Sequence, residues 1–204
     1  MVPRPTTASL GTRASSGDNA DRLPAVRAYK VLIDGRSGFT GWRWPLPADD
    51  GPGEWVVASG TPELCVRGIH ACTVVQLPQW LGEELWTIEL AGEIVHSDAA
   101  LVASKGRLLA RVEAWSAKAR TAFGEDCARR ARENAIDGPA STPLLAAVDQ
   151  LAATGRAGPA GYWAAVLAGE RTSGTRTGSA YDAAFAEERA AQARWLEAEL
   201  GTLD

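Results

Sequence analysis

The chain has 204 residues, 46% of them hydrophobic and 23% charged, which suits one domain, with or without an extension, able to bury its own core. A net charge of −4 argues against a dedicated nucleic-acid binder, which usually carries a basic stripe. No apolar run approaches the roughly eighteen residues of a membrane-spanning helix, and the residues from Met1 to Asp21 lack the apolar centre of a secretory signal.

Residues 1–24 are rich in Pro, Ser, Thr and Gly with little apolar pattern, and are expected to form a disordered tail. Residues 25–103 read as a β-rich domain. Val26 to Ile33 alternates, with Tyr29, Val31 and Ile33 on one face and Ala28, Lys30 and Leu32 on the other. Asp34-Gly35 then turns the chain. Gly38 to Pro52 is irregular but carries Phe39, Trp42 and Trp44. Trp55 to Ala58 and Gly68 to Thr73 are further strand candidates, the latter followed by a short helical turn through Leu77 and Trp80. Leu85 to Leu90 alternates again, and Glu93 to His96 is placed as its continuation past a bend at Gly92.

Residues 104–204 read as a helical extension. Leu108, Leu109, Val112 and Trp115 follow one helix face, so a helix is expected from about Ser104 to Asn134, with a break near Gly124, ended by Asp137-Gly138-Pro139. A second helix is expected from Ser141 to Gly155, a third over Pro159 to Leu167, and a fourth capped by Ser179 and stopped by Gly201. The Glu187-Glu188-Arg189 cluster reads as a solvated face. The fold class is α+β: a small, mainly antiparallel sheet, continuous or split, followed by helices that pack on it or on a partner.

The segment from Cys65 to Cys72 holds two of the three cysteines and one of the two histidines. In an extended chain His70 and Cys72 share one face, and Ile69 and Ala71 the other. Three readings follow. Cys65, His70 and Cys72, completed by His96 or Cys127, would give a zinc site, although the spacing is not that of a finger or ribbon. A cysteine activated by a histidine would give a nucleophilic thiolate. Otherwise the cysteines are core residues and His70 is satisfied by backbone groups. Three cysteines are too few for a disulfide framework, so a reducing cytoplasm is the expected compartment. Eight tryptophans read first as a core and second as the wall of an aromatic pocket.

The pattern Cys65-x-x-Gly68-Ile69-His70-Ala71-Cys72, with Tyr29-Lys30-Val31 before it and Glu89-Leu90-Ala91-Gly92-Glu93 after it, resembles an uncharacterised family of small bacterial and phage proteins. The order Gly68-Ile69-His70-Ala71, short helix, Leu85 to Glu93 is also similar to the middle of ADP-ribosyltransferase-like domains. That resemblance implies a cleft binding NAD, in an active enzyme or a degenerate relative. His70 would stand on the site wall. Glu89 or Glu93 would supply the carboxylate that supports an oxocarbenium-like transition state. Tyr29 and Lys30 would lie where the first strand holds the cofactor, and Trp80 would shape the cleft. Lys30 departs from the Arg or His usual there. The alternatives are a non-catalytic protein-interaction module using a Trp-rich surface and a Cys/His metal-binding domain. Association with a protein partner or a second copy would then run through the C-terminal helices, with no nucleic acid and no membrane involved.

Overall fold

The computed structural model describes residues 25–48, 51–135, 142–201 and 203. The expected tail over residues 1–24, the stop at Asp137-Gly138-Pro139 and the cap at Ser141 lie outside the described residues. Five strands come first: β1 (Val26–Leu32), β2 (Val56–Val57), β3 (Ile69–Ala71), β4 (Glu84–His96) and β5 (Leu101–Arg111). Four helices follow: α1 (Ala117–Asn134), α2 (Thr142–Ala153), α3 (Ala157–Ser173) and α4 (Ser179–Leu200). The arrangement is α+β, with one antiparallel five-stranded sheet.

The long hairpin of β4 and β5 is the spine of the sheet. β1 pairs with the outer edge of β4, and β3 and β2 pair in turn along the outer edge of β5. The sheet then curls back on itself. Tyr29 of β1 and Cys72, just beyond β3, exchange backbone hydrogen bonds of 2.8 and 2.9 Å, closing the ring β1–β4–β5–β3. Curvature comes from a break in register between Ala91 and Ile94, where Gly92 has φ +75°.

Alternation divides the core in two. Ala28, Leu32, Ile69, Ala71, Trp86, Ile88, Leu90, Leu101, Ala103 and Leu108 pack inside the ring. Tyr29, Cys72, Leu77, Leu81 and Leu85 face outward against the helices, where they meet Trp115, Ala119, Phe123, Cys127 and Leu196. Phe123 is fully buried at the centre of this second cluster, edge-on to Trp115 and Trp195 at ring distances of 6.0 and 5.3 Å. Small residues let the helices close in: a Cβ on Gly124 of α1 would lie 2.7 Å from the Ala152 Cα of α2.

Three expectations are corrected. The stretch from Ser104 is strand, not helix, through Arg111. Gly106 and Leu108 enter the ring interior while Lys105 and Arg107 stay at the surface, so a period of two wins over the helical spacing of Leu108, Leu109 and Val112. α1 begins instead behind Ser116, whose hydroxyl caps the Ala119 N–H. Ser179, expected as a cap, is the first residue of α4, and Gly178 precedes it as the cap. Nor is the Glu187-Glu188-Arg189 cluster all solvated. Glu188 is buried, accepting from Arg130 of α1 at 2.9 Å and from Gln192 at 2.9 Å.

Candidate functional site: a cleft at the seam of the sheet

The cleft lies where β1 meets β3, under the loop that follows β1. The loop is built by local rules. Asp34 and Gly35 both have positive φ, 49° and 68°, and Ile33 and Arg36 exchange two 2.9 Å hydrogen bonds across them. This is the two-residue hairpin turn that suits Asp-Gly. The chain then pairs Arg36 with Arg43, and the Trp44 N–H returns to the Gly35 carbonyl at 2.9 Å. The Trp44 indole N–H donates to Ser37 Oγ at 2.8 Å, and its ring is buried and edge-on to Trp42. Phe39 stands at the loop tip, 92% exposed and edge-on to Trp80.

Beneath this loop is a cavity of about 590 Å³, bordered among others by Tyr29, Lys30, Trp42, Trp44, His70 and Trp80. Its size is that of a small-ligand site. Arg67 also reaches it, and no Asp or Glu is among its lining residues. A shallower aromatic groove continues past Phe39 and Trp80 to Tyr162, Trp163 and Arg189 on the helices.

Lys30 is the unusual member. It lies on the same strand face as Ala28 and Leu32, which point into the closed ring, and it is opposite Trp86 in register. Its Nζ donates to the His70 carbonyl at 2.6 Å and sits 5.1 Å from the centre of the Trp44 ring. Among the described residues no carboxylate pairs with it. Burial pulls its pKa from 10.5 down to about 8. Cys72 opposes that shift, but its own thiol is pushed up to about 12 by burial, so it is neutral near pH 7. Its Sγ faces the Tyr29 carbonyl at 3.6 Å.

His70 holds the wall in place through main-chain partners. Its Nε2 accepts the Cys65 N–H at 2.9 Å, and its Nδ1 lies 3.2 Å from the Gly68 carbonyl. A neutral ring protonated on Nδ1 satisfies both contacts. Burial lowers its pKa, and the nearby Lys30 charge adds to the effect. The ring thus ties off the turn from Cys65 (φ 60°) to Gly68 (φ 119°). Glycine is required at residue 68, since a Cβ there would lie 2.5 Å from Val102 Cγ1.

The structure brings four of the six expected site residues to one cavity: Tyr29, Lys30, His70 and Trp80. Tyr29 contributes mainly its backbone seam; its phenol is buried, with a raised pKa. The Trp80 indole N–H donates to the Ala99 carbonyl at 2.7 Å. Glu89 and Glu93 are elsewhere. Glu89 pairs with Arg107 at 2.6 Å on the outside of the ring, where Arg107 and Lys105 cover the Trp55 ring. Glu93 is exposed at the Gly92 bulge. Among the described residues no group of three or more His, Cys, Asp or Glu could hold a metal ion. Cys65 is exposed, Cys72 lies at the seam, and Cys127 is buried among the helices.

No protein-family model, curated protein or solved structure matches the chain. The role of Trp44 was discoverable only in part: an aromatic-rich loop is visible in the sequence, but its position over Lys30 depends on the Asp34-Gly35 hairpin. Arg189 offered no signal, because its neighbours suggest an ordinary charged helix face.

Proposed function

We propose that the protein binds a small, flat, anionic molecule in the cleft between β1 and β3, anchored by the Lys30 ammonium. The observation carrying this reading is an ammonium group drawn out of water beside an indole, with one backbone acceptor and no acidic partner among the described residues. A desolvated cation of this kind destabilises the free protein, and an incoming anion removes the penalty. Trp42, Trp44, Phe39 and Trp80 supply aromatic surface for a planar body; Arg67 also borders the cavity, but its charge is paired with Glu63 at 3.6 Å.

NAD, the cofactor implied by the ADP-ribosyltransferase-like resemblance, is larger than this class, but it shares an anionic group, its pyrophosphate, and a flat ring, its nicotinamide. Binding is the part of that expectation this cleft supports. Cleavage calls for a carboxylate beside the ribose, and neither Glu89 nor Glu93 borders the cavity.

The test is a nitrogen–proton correlation spectrum titrated with benzoate and, separately, with neutral benzamide. Benzoate should move the Trp44 indole N–H and the backbone amides from Tyr29 to Val31 and from Ile69 to Cys72; benzamide should not. Lys30→Met should abolish the benzoate response. Equal responses to both probes, or none, would refute the reading. A second reading, an interaction module, rests on Phe39 being 92% exposed at the cleft rim. It predicts self-association in sedimentation experiments that Phe39→Ser removes.

A further inference from the structure

We infer that Lys30 is a covalent capture group: its amine adds to the carbonyl carbon of an aldehyde or ketone held in the cleft and forms a reversible imine. This rests on the proposed cleft and narrows its ligand class to flat anions that also carry a reactive carbonyl.

The geometry supplies what the chemistry needs. Lys30 borders a cavity large enough for a small aromatic carbonyl compound, and its Nζ is held at 2.6 Å by the His70 oxygen. That contact uses one of the three N–H positions of the ammonium. The side-chain contacts of His70 with the Cys65 N–H and the Gly68 carbonyl fix the carbonyl that holds the amine, so its position is set by the turn before β3. Trp44 covers it on one side and limits the water around it. No carboxylate among the described residues keeps the nitrogen protonated. The lowered pKa agrees with this geometry: near pH 7 about a tenth of the amine is neutral, against about one part in three thousand for an ordinary lysine.

The step balances without an oxidant or reductant. The nitrogen lone pair forms a C–N bond to the carbonyl carbon, and the C=O π pair moves to oxygen. That oxygen takes up the proton released by the nitrogen, giving a carbinolamine. The nitrogen lone pair then expels the hydroxyl group, which leaves as water after taking a second proton. The sum is ammonium plus carbonyl compound giving protonated imine plus water, and added water reverses it.

The chain has only three lysines, Lys30, Lys105 and Lys118, so two serve as internal standards. The intact protein is incubated near pH 7 with limiting 4-formylbenzoate, which carries both the anion and the aldehyde, and sodium cyanoborohydride, which reduces any imine to a stable substituted benzylamine. Chymotryptic peptide mapping then counts carboxybenzyl groups at each lysine. Lys30 should be labelled at least about tenfold faster than Lys105 or Lys118, after allowing for the weaker nucleophilicity of a less basic amine. Lys30→Arg, which keeps a cation at the seam, should lose that label and leave the other two unchanged. Excess benzoate should slow Lys30 selectively.

Labelling of Lys30 at or below the rate of the other two overturns covalent capture, and a benzoate response at Trp44 in the same sample would leave the anion-binding reading standing. Selective labelling of Lys30 that benzoate does not slow supports capture and overturns anion binding. Labelling in urea, where the three lysines should become equal, ties the selectivity to the fold; selectivity that persists in urea overturns the inference.

Discussion

Replacing Lys30 by Met should make the protein more stable near pH 7, although the lysine is folded into the sheet. In the structure its pKa falls from 10.5 to about 8. Holding the charged form inside the fold near neutral pH therefore costs at most about 3 kcal/mol, at roughly 1.4 kcal/mol per pKa unit. Met fills similar space without charge, but strips the His70 carbonyl of its donor, a loss of about 1–2 kcal/mol. The net expectation is a gain of about 1–2 kcal/mol. The sign of the pH dependence follows from proton counting. Between pH 8 and 10.5 the unfolded chain holds a proton on Lys30 that the folded chain has released, so the lysine's contribution to stability rises with pH. Wild type should thus recover about 1 kcal/mol on the Met variant between about pH 7 and pH 9. Cys72 and Cys127, both pushed up to about 12, work the other way above pH 9, since only the unfolded chain then loses the thiol protons. Both proteins carry them, so they cancel in the difference. Urea unfolding followed by tryptophan fluorescence at several pH values measures the gap. A Met variant that is less stable near neutral pH, or a gap that does not change with pH, would refute the account of Lys30 as a desolvated cation.

Other outcomes follow from the same structure. Under native conditions near pH 7, iodoacetamide should alkylate Cys65 and spare the buried Cys72 and Cys127; mass mapping showing equal labelling would contradict their burial. Gly124→Ala should cost about 1–3 kcal/mol in urea unfolding, because the new methyl group meets the α2 backbone at Ala152 and not a movable side chain. Arg130→Met should cost about 3–5 kcal/mol, since it leaves the buried Glu188 carboxylate with only Gln192; the additional Glu188→Gln change should restore part of the loss. His70→Ala should leave the cooperative unfolding transition in place but speed hydrogen exchange at Cys65, whose amide loses its acceptor.

Much of the fold could be read directly. Alternation marked β1 and β4, Asp34-Gly35 marked the hairpin, and Gly155 and Gly201 marked helix ends in the left-handed or extended positive-φ region. β5 was misread because two of its residues, Leu108 and Leu109, are both apolar and join Val112 and Trp115 in a helical spacing. Only the pairing with β4 reveals that Leu108 alone of the first two is fully buried. Glu188 was misread because its neighbours in sequence are charged, whereas its burial comes from Arg130 on another helix. The site was half legible. His70 and Lys30 were recognisable as members of two alternating strand patterns, but what each does depends on the Tyr29–Cys72 bridge, which joins distant parts of the chain. Local spacing has no access to that contact. It is also why Glu89, next to the right residues in sequence, ends outside the ring.

The ring of strands is fastened at β1 and β3 by one reciprocal pair of backbone contacts, whereas β1 meets β4 along seven residue pairs. A cylinder so unevenly stitched has a parting line, and the hollow beside Lys30 sits along it. Parting the two edges by an ångström or two would leave both cores intact while giving bulkier molecules a way in. Selectivity by size would then reside less in the walls than in how readily Tyr29 and Cys72 let go of each other.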